Sequence, residues 1–530
     1  RLGYSPPKGM KGDVMTVTNR DRVQRSGDEM AVIDEFAELT WGETDTRVNQ
    51  LIVALRGLGL ESGDVVGLLG GNRHEWTETL AAGLHTSAVV VPINWHFSAD
   101  EIAYVLENSG ARALVADAEY AEKAVAAAEQ AGVGVRVAFG GPIEGFADYE
   151  EVLASATGDE PTDQGAGTIM WYTSGTTGRP KGVMSSLVEV GGDPAVALAP
   201  LEMFVDLLGL PKEGGTVLCN APVYHAGPLV FCLFPASLGS RLIMRRNWGA
   251  EETLRLIDEY QVTTGYAVPT HFTRLLRLPP ETRSAFDGSS LRCVYHTAAP
   301  CPPEIKRQMI DWWGPVINEL YGASESGGAG TICSSDQWLA KPGTVGAPLP
   351  TTELLIVDDD GQQMGADEVG QIYLRNLLGA DFEYLGDEAK TDSAHLEPGV
   401  FTFGDIGYVD EDGYLFLSDR KIDMIISGGV NIYPAEIESL LITHPAVTDV
   451  GVIGVPNDEF GEEVKAIVQV AEGRDGAEVE PELRQLCRDR LAGYMVPRSF
   501  DFADLPRTAT GKLLKRQLRE PYWEGTGRSI

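Results

Sequence analysis

The chain has 530 residues, 43% of them hydrophobic and 23% charged, and a formal net charge of −36. That length exceeds what one hydrophobic core organises, so two or more domains are expected, and the composition is that of a globular protein. The acidic excess repels other polyanions, which excludes nucleic acid as a partner and argues against an anionic membrane surface.

No apolar run approaches the ~18 residues of a membrane-spanning helix, and the opening RLGYSPPKGM lacks a hydrophobic signal core. Six cysteines, Cys219, Cys232, Cys293, Cys301, Cys333 and Cys487, form no CxxC pair and no zinc spacing. They read as reduced thiols, and the expected location is cytoplasmic. In chain order, residues 40 to 135 alternate helical runs such as NQLIVALRGLGL with short Val/Leu-rich segments such as DVVGLLG and AVVVPIN. This is the pattern of βα units around a largely parallel sheet covered on both faces. The rhythm returns in EETLRLIDEYQVTTGYAVPT and SSLRCVYHTAAP. After residue 340, TELLIVDDDGQQM, GQIYLRN and DIGYVDEDGYLFLSDR place DG or GD turns between strand-like segments, which predicts a small antiparallel, barrel-like region. The short charged SDRKID reads as a linker, and the text from about residue 424 predicts a compact α+β unit. The fold class is therefore α/β, with a small α+β unit at the C-terminal end.

Four stretches carry candidate chemistry. TSGTTGRPKG at 173–182 is glycine- and hydroxyl-rich, so its backbone N–H groups can converge on a phosphate. It is not a Walker loop, because Pro180 and Gly182 stand where that pattern needs glycine and a hydroxyl residue. In NELYGASESGG, Glu325 is either a Mg²⁺ ligand or a solvated loop carboxylate. In FTFGDIGYVDEDGYLFLSDR, Asp405 could accept both hydroxyls of a ribose and Arg420 could donate to the same sugar. The alternative is a turn-capping aspartate, the reading given to Asp410, Asp412 and Asp419. In PRTATGKLLKRQLR, Lys512 opens a basic run with Lys515 and Arg516 that is unusual in so acidic a chain.

In this order, TSGTTGRPKG, YGASE, TFGDIGYVDEDGYL, DRKIDMIISGGVNIYPAEIE and PRTATGK resemble the successive core motifs of the adenylate-forming superfamily, which contains acyl-CoA synthetases, peptide-adenylation domains and firefly-type luciferases. The resemblance runs from about residue 40 to 520. It implies an N-terminal adenylate-forming domain at 1–419, a hinge at 420–423 and a C-terminal lid at 424–530. It further implies an ATP-dependent acid–thiol ligase that uses ATP, Mg²⁺ and CoA on a carboxylic acid, with an oligomer compatible.

By the same resemblance, Thr173, Ser174, Gly175, Thr176, Thr177 and Gly178 hold the β,γ-phosphates, with Lys181 nearby. Ser324 and Glu325 serve the α-phosphate and Mg²⁺, Tyr321 and Ala298 the nucleotide, and Asp405 and Arg420 the ribose. Lys512 bridges the α-phosphate and the acyl carboxylate. His225 lies between acyl and CoA channels, and Gly227, Pro269, Thr270, Gly327 and Gly328 line the acyl pocket. Ser427, Gly428 and Gly429 close a pantetheine tunnel, and Lys465 is a candidate contact for a CoA phosphate. PVYHAGPL, HTAAPCPPEIKRQMIDWWGP and WLAKPGTVG resemble actinobacterial-type ligases for bulky acids, including polycyclic steroid or terpenoid acids. One position departs from the pattern: Ile422 stands where the hinge carries Lys or Asp, so Lys421 or Asp423 takes over or the half-reactions are unequal. Two alternatives stay open, a chain that only thioesterifies a preformed acyl-adenylate and a non-catalytic acyl-adenylate binding protein.

Overall fold

The computed structural model describes residues 26–173, 180–186, 188–326, 330–358, 360–420, 422–457, 459–508 and 512–524. Two compact units emerge, the first made of the chain up to Gly182 with Val188–Gly215 and Leu233–Arg246, the second of Val183–Leu187, Thr216–Cys232 and Asn247 onward.

The first unit is built on six strands in the order Ala147–Asp148, Val135–Phe139, Ala111–Asp117, Val65–Leu69, Val89–Ile93 and Thr168–Ile169. All neighbours run parallel, with Val65 opposite Val89 and Leu114 opposite Gly67. Parallel strands need crossovers, and the helices Trp41–Gly57, His74–His85, Ala99–Ser109 and Ala121–Gln130 accompany them. Two of these helices begin in reciprocal caps, Thr40 with Glu43 and Ser98 with Glu101. Leu68, Val91 and Leu114 are fully buried, each contributing roughly 1.5–3 kcal/mol of burial. Burial on both faces explains why VVGLL and VVVPI read as continuous apolar runs rather than alternating ones.

The second unit opens with parallel strands Thr216–Cys219, Thr264–Ala267, Cys293–His296 and Ile317–Tyr321. The sheet then turns antiparallel through Thr331–Cys333, Thr344–Pro348, Leu415–Arg420, Asp405–Val409 and Gly370–Asn376. This is the antiparallel region that the DG turns predict. Asp410 and Gly413, the latter at φ 85°, close one such turn, and Asp410 and Asp412 pair with Lys341 there. One expectation needs correcting. SDRKID is not simply a linker, because Ser418, Asp419 and Arg420 belong to the strand Leu415–Arg420, with Asp405 opposite Arg420 and Ile406 opposite Asp419.

The C-terminal stretch of this unit forms a five-stranded sheet of Val430–Ile432, Ile425–Ser427, Gly461–Val470 and Val447–Asn457, with Ser499–Phe502 parallel to Gly461–Val470. Ile425, Ile437, Leu441, Val452, Val468 and Leu483 share its apolar core with the helices Pro434–Leu441 and Gly476–Arg490. Among the described residues no helix is long and apolar enough to cross a membrane. None of the six cysteines, all of them among the described residues, is in a disulfide.

Candidate active site

Strand ends place the first pair. Tyr321 closes the strand Ile317–Tyr321, is 9% exposed, and donates its hydroxyl to Asp405 Oδ2 at 2.9 Å. Asp405 opens Asp405–Val409 directly opposite Arg420, so this pairing and the Tyr321 hydrogen bond bring Tyr321, Asp405 and the Arg420 backbone together. A phenol and a carboxylate at adjoining strand ends offer an aromatic face and two acceptor oxygens, a set suited to a nucleoside. Beneath Tyr321, Lys306 is fully buried and donates to Glu319 Oε2 at 2.5 Å, with its ammonium 5.4 Å from the Trp338 ring centroid. Burial pushes the Glu319 carboxyl up, and the Lys306 charge pulls it back. This pair ties the helix Pro303–Trp313 to the strand that ends at Tyr321.

Glu325 lies in the short turn Ser324–Ser326, with Ser324 as its first residue. The Tyr384 hydroxyl donates to Glu325 Oε1 at 3.3 Å. Burial, then the Glu325 charge, raises the Tyr384 ionisation far above its ordinary range, so it stays a donor. Tyr384 sits on Phe382–Tyr384, antiparallel to the strand that follows the glycine-rich loop, with Val183 opposite Tyr384. Thr173 ends Trp171–Thr173 and Lys181 begins Lys181–Ser185, so the predicted phosphate loop joins two strands. Ser174, Gly175, Thr176, Thr177, Gly178, Gly327 and Gly328 lie outside the described residues. Ala298 adopts φ 75°, a left-handed conformation that costs roughly 1–3 kcal/mol in a non-glycine residue and tends to mark ligand clamps.

A largely buried aromatic wall surrounds residues that the resemblance assigns to the acyl pocket. His225 precedes the turn Ala226–Pro228 with its ring tilted against Tyr224, centroids 4.3 Å apart. Gly227 meets Tyr266 so closely that a Cβ there would lie 2.6 Å from the phenol oxygen, which only glycine tolerates. Phe231 stacks between Tyr266 and Tyr295, centroids 5.8 and 4.7 Å away, on the wide π-helical turn Leu229–Leu233. Pro269 and Thr270 begin the helix Pro269–Leu276, where a proline is pre-organised. The next residue, His271, is buried and stacks on Trp248 at 4.3 Å. Burial pushes its pKa down to about 3, so it is neutral.

On the C-terminal stretch, Gly428 and Gly429 adopt φ 59° and 82° and form the two-residue turn of a hairpin that pairs Ser427 with Val430. Two consecutive left-handed residues are what such a turn demands. Lys512 is placed by its backbone: its N–H donates to Thr508 Oγ1 at 3.0 Å and its carbonyl accepts from the Thr508 N–H at 2.8 Å. Asp419 Oδ2 accepts from the Ala435 N–H at 2.9 Å, so from its strand it caps the start of the distant helix Pro434–Leu441 rather than the local turn expected of it. Lys465 requires a correction. It is 9% exposed, bound to Asp501 Oδ1 at 2.7 Å and set 4.9 Å from the Tyr522 ring centroid. A buried, neutralised ammonium is not available to a CoA phosphate.

The reading from residues overlooked Tyr384, the Lys306–Glu319 pair and the Phe231–Tyr266–Tyr295 stack, all of which depend on partners far apart in the chain. Only the register of strands not yet assigned could have exposed them.

The chain also matches known proteins along most of its length. Residues 19–378 match the AMP-binding enzyme family, and residues 436–512 match the AMP-binding enzyme C-terminal domain. A feruloyl-CoA synthase of an Amycolatopsis species is 34% identical over 94% of this chain and 97% of its own length. A long-chain-fatty-acid–CoA ligase of Mycobacterium tuberculosis is 33% identical over 91% of this chain and 93% of its own length. The solved structure of an anthranilate CoA ligase in complex with anthranoyl-AMP superposes with a TM-score of 0.84 at 25% identity, covering 98% of this chain and 99% of that one. With its α/β architecture, its strand-end Tyr321–Asp405 pair and both family matches along its length, this chain belongs to the AMP-binding enzyme family and is an AMP-forming acid–CoA ligase.

Proposed function

We propose that one chain performs both halves of the ligation, making an acyl-AMP from a ring-bearing carboxylic acid and ATP and then passing the acyl group to CoA. In the first half a carboxylate oxygen attacks the α-phosphorus of ATP, the bond to the bridging oxygen breaks, and pyrophosphate leaves. In the second the CoA thiolate attacks the acyl carbon, a C–S bond forms, and AMP leaves with the C–O electrons. A carboxylate alone is a poor electrophile, so the adenylate supplies the leaving group.

The observation that carries this reading is the Tyr321 hydroxyl on Asp405 Oδ2 opposite the Arg420 backbone, a nucleoside seat on rigid strand ends. Asp405 accepts from the ribose, and Thr173 to Gly178 with Lys181 hold the outer phosphates. Lys512 supplies the charge that anion-on-polyanion attack requires. The Glu325 carboxylate, steadied by Tyr384, is an oxygen donor of the kind Mg²⁺ accepts beside phosphates, and that ion would neutralise phosphate charge. The hinge at 420–423 and the lid from 424 let Lys512 withdraw and the Ser427–Gly428–Gly429 turn approach for the thiol step.

Support for a flat acid comes from relatives named for feruloyl and anthranoyl groups. A polycyclic acid is the largest member of that class. The test is a panel of aromatic, polycyclic and long-chain acids with ATP, with and without CoA, resolved by mass. Acyl-AMP without CoA and acyl-CoA with it, strongest for ring-bearing acids, is the expected result. A preference for straight chains overturns the substrate class, and CoA ester only from synthetic acyl-AMP overturns the two-step reading.

A further inference from the structure

Arg519 lies on the last described helix, Lys515–Trp523, and is 8% exposed despite its charge. Burying a guanidinium is costly unless its donors are satisfied, so its partners are informative. Its Nη1 donates to the Ile422 carbonyl at 2.7 Å and its Nη2 to the Asp423 carbonyl at 3.0 Å. The Asp423 carboxylate lies 3.4 Å from the same Nη2 and balances the charge. The two successive carbonyls at the proposed hinge are therefore held by one planar fork, from a residue seven positions after Lys512. The Ile422 side chain is 54% exposed and contributes no polar anchor of its own.

The same helix is fixed elsewhere to the C-terminal unit. Lys515 pairs with Glu438 at 2.8 Å, and the Trp523 indole N–H donates to the Gly454 carbonyl at 3.0 Å. Burial disfavours the Lys515 charge, but Glu438, Asp419 and Asp423 outweigh it and raise its pKa. The peptide planes after Ile422 and Asp423 are thus bonded to the helix that continues from Lys512.

We infer that Arg519 is the positioning residue that ends the hinge, riveting the chain after Ile422 to the segment bearing Lys512 so that both turn as one body. This rests on the two-step reading above. It has a structural consequence for the pivot. Because the carbonyls of Ile422 and Asp423 belong to the moving body, the swing is confined to the dihedral angles of Ile422 and the residues before it. Asp423 does not replace the missing polar pivot, because its carbonyl is already held. Arg519 compensates for Ile422 by fixing the backbone where the side chain cannot. A lysine cannot reproduce this grip, since its single ammonium lacks the planar two-donor fork.

The test compares the full-length protein with Arg519→Lys and Arg519→Met, reading thermal unfolding, trypsin cleavage after Arg420 or Lys421, and steady-state kinetics with the best acid of the panel. In Arg519→Lys the expected result is near-normal unfolding, about tenfold faster cleavage at the hinge, and a kcat about tenfold lower with KM for ATP within about twofold, because misplacing a catalytic group by an ångström is costly in rate. Arg519→Met gives the larger effect, and if it does not fold, Arg519→Lys decides alone. Wild-type cleavage and kcat in Arg519→Lys overturn the inference. So does a loss of activity that only tracks a lowered unfolding temperature, with cleavage spread across the C-terminal unit. If the wild-type protein turns over no acid, the two-step reading fails while hinge cleavage still decides the clamp.

Discussion

The two halves of the candidate site are held in different ways. Tyr321 and Asp405 stand on neighbouring regions of one continuous sheet, where strand register fixes each Cα and a side-chain hydrogen bond fixes the pair. Lys512 instead belongs to a segment secured through Thr508, Lys515 and Arg519 to the C-terminal stretch and the hinge backbone. The difference teaches where each kind of chemistry belongs. On the proposed reading, groups that hold the adenosine through both steps sit on rigid pairing, whereas a cation needed in only one step sits on a body proposed to leave.

That contrast is broken most severely at Lys512. Lys512→Ala should lower acyl-AMP formation by about 10²–10³-fold, the scale of losing a charge aimed at the transition state, while thioester formation from synthetic acyl-AMP persists. Equal loss in both steps would place Lys512 with the fixed groups. Asp405→Asn acts on the other half. It should raise KM for ATP about tenfold, ~1.4 kcal/mol, near the lower end for hydrogen bonds to charged groups, and weaken both steps because the nucleotide is present in each. Loss of adenylation alone would contradict the division. Tyr384→Phe sharpens the comparison with a smaller effect. Removing the hydroxyl that steadies Glu325 should slow adenylation about threefold to tenfold, ~1 kcal/mol, seen as a raised Mg²⁺ requirement.

Much of the fold was legible because its signals are local. VVGLL and VVVPI announce strands buried on both faces, and DG steps announce hairpins. Gly428–Gly429, expected from the resemblance to close a pantetheine tunnel, proves to be the left-handed pair of a two-residue hairpin. Tyr321 and Asp405 were legible as a set only through the order of the motifs that carry them, because the residues alone left Asp405 open to a turn-capping role. What escaped was every pairing across long sequence distance. Lys465 was read as a CoA contact because nothing near it in sequence reveals Asp501, which arrives from the parallel strand Ser499–Phe502. Arg519 closes the stretch PRTATGKLLKRQLR without standing out there, and only the folded chain brings it to Ile422.

The smallest effect at working pH concerns the aromatic wall. His271 stays neutral when folded, its pKa pushed by burial from 6.5 to about 3. The unfolded chain takes up this proton first on acidification. Stability is therefore unaffected above about pH 6.5 and falls by ~1.4 kcal/mol per pH unit between there and about pH 3. His271→Gln should flatten the acid side of a plot of unfolding temperature against pH by one proton's worth, and an unchanged slope would show that His271 is protonated in the folded protein.

The central claim is that this chain makes its own adenylate before it meets the thiol. A quenched single turnover with excess enzyme, a ring-bearing acid, ATP and Mg²⁺ but no CoA measures it directly. The account predicts acyl-AMP and pyrophosphate in equal amounts, chased wholly into acyl-CoA when CoA is added. Absence of acyl-AMP from every acid, together with rapid acyl-CoA formation from synthetic acyl-AMP, would contradict it.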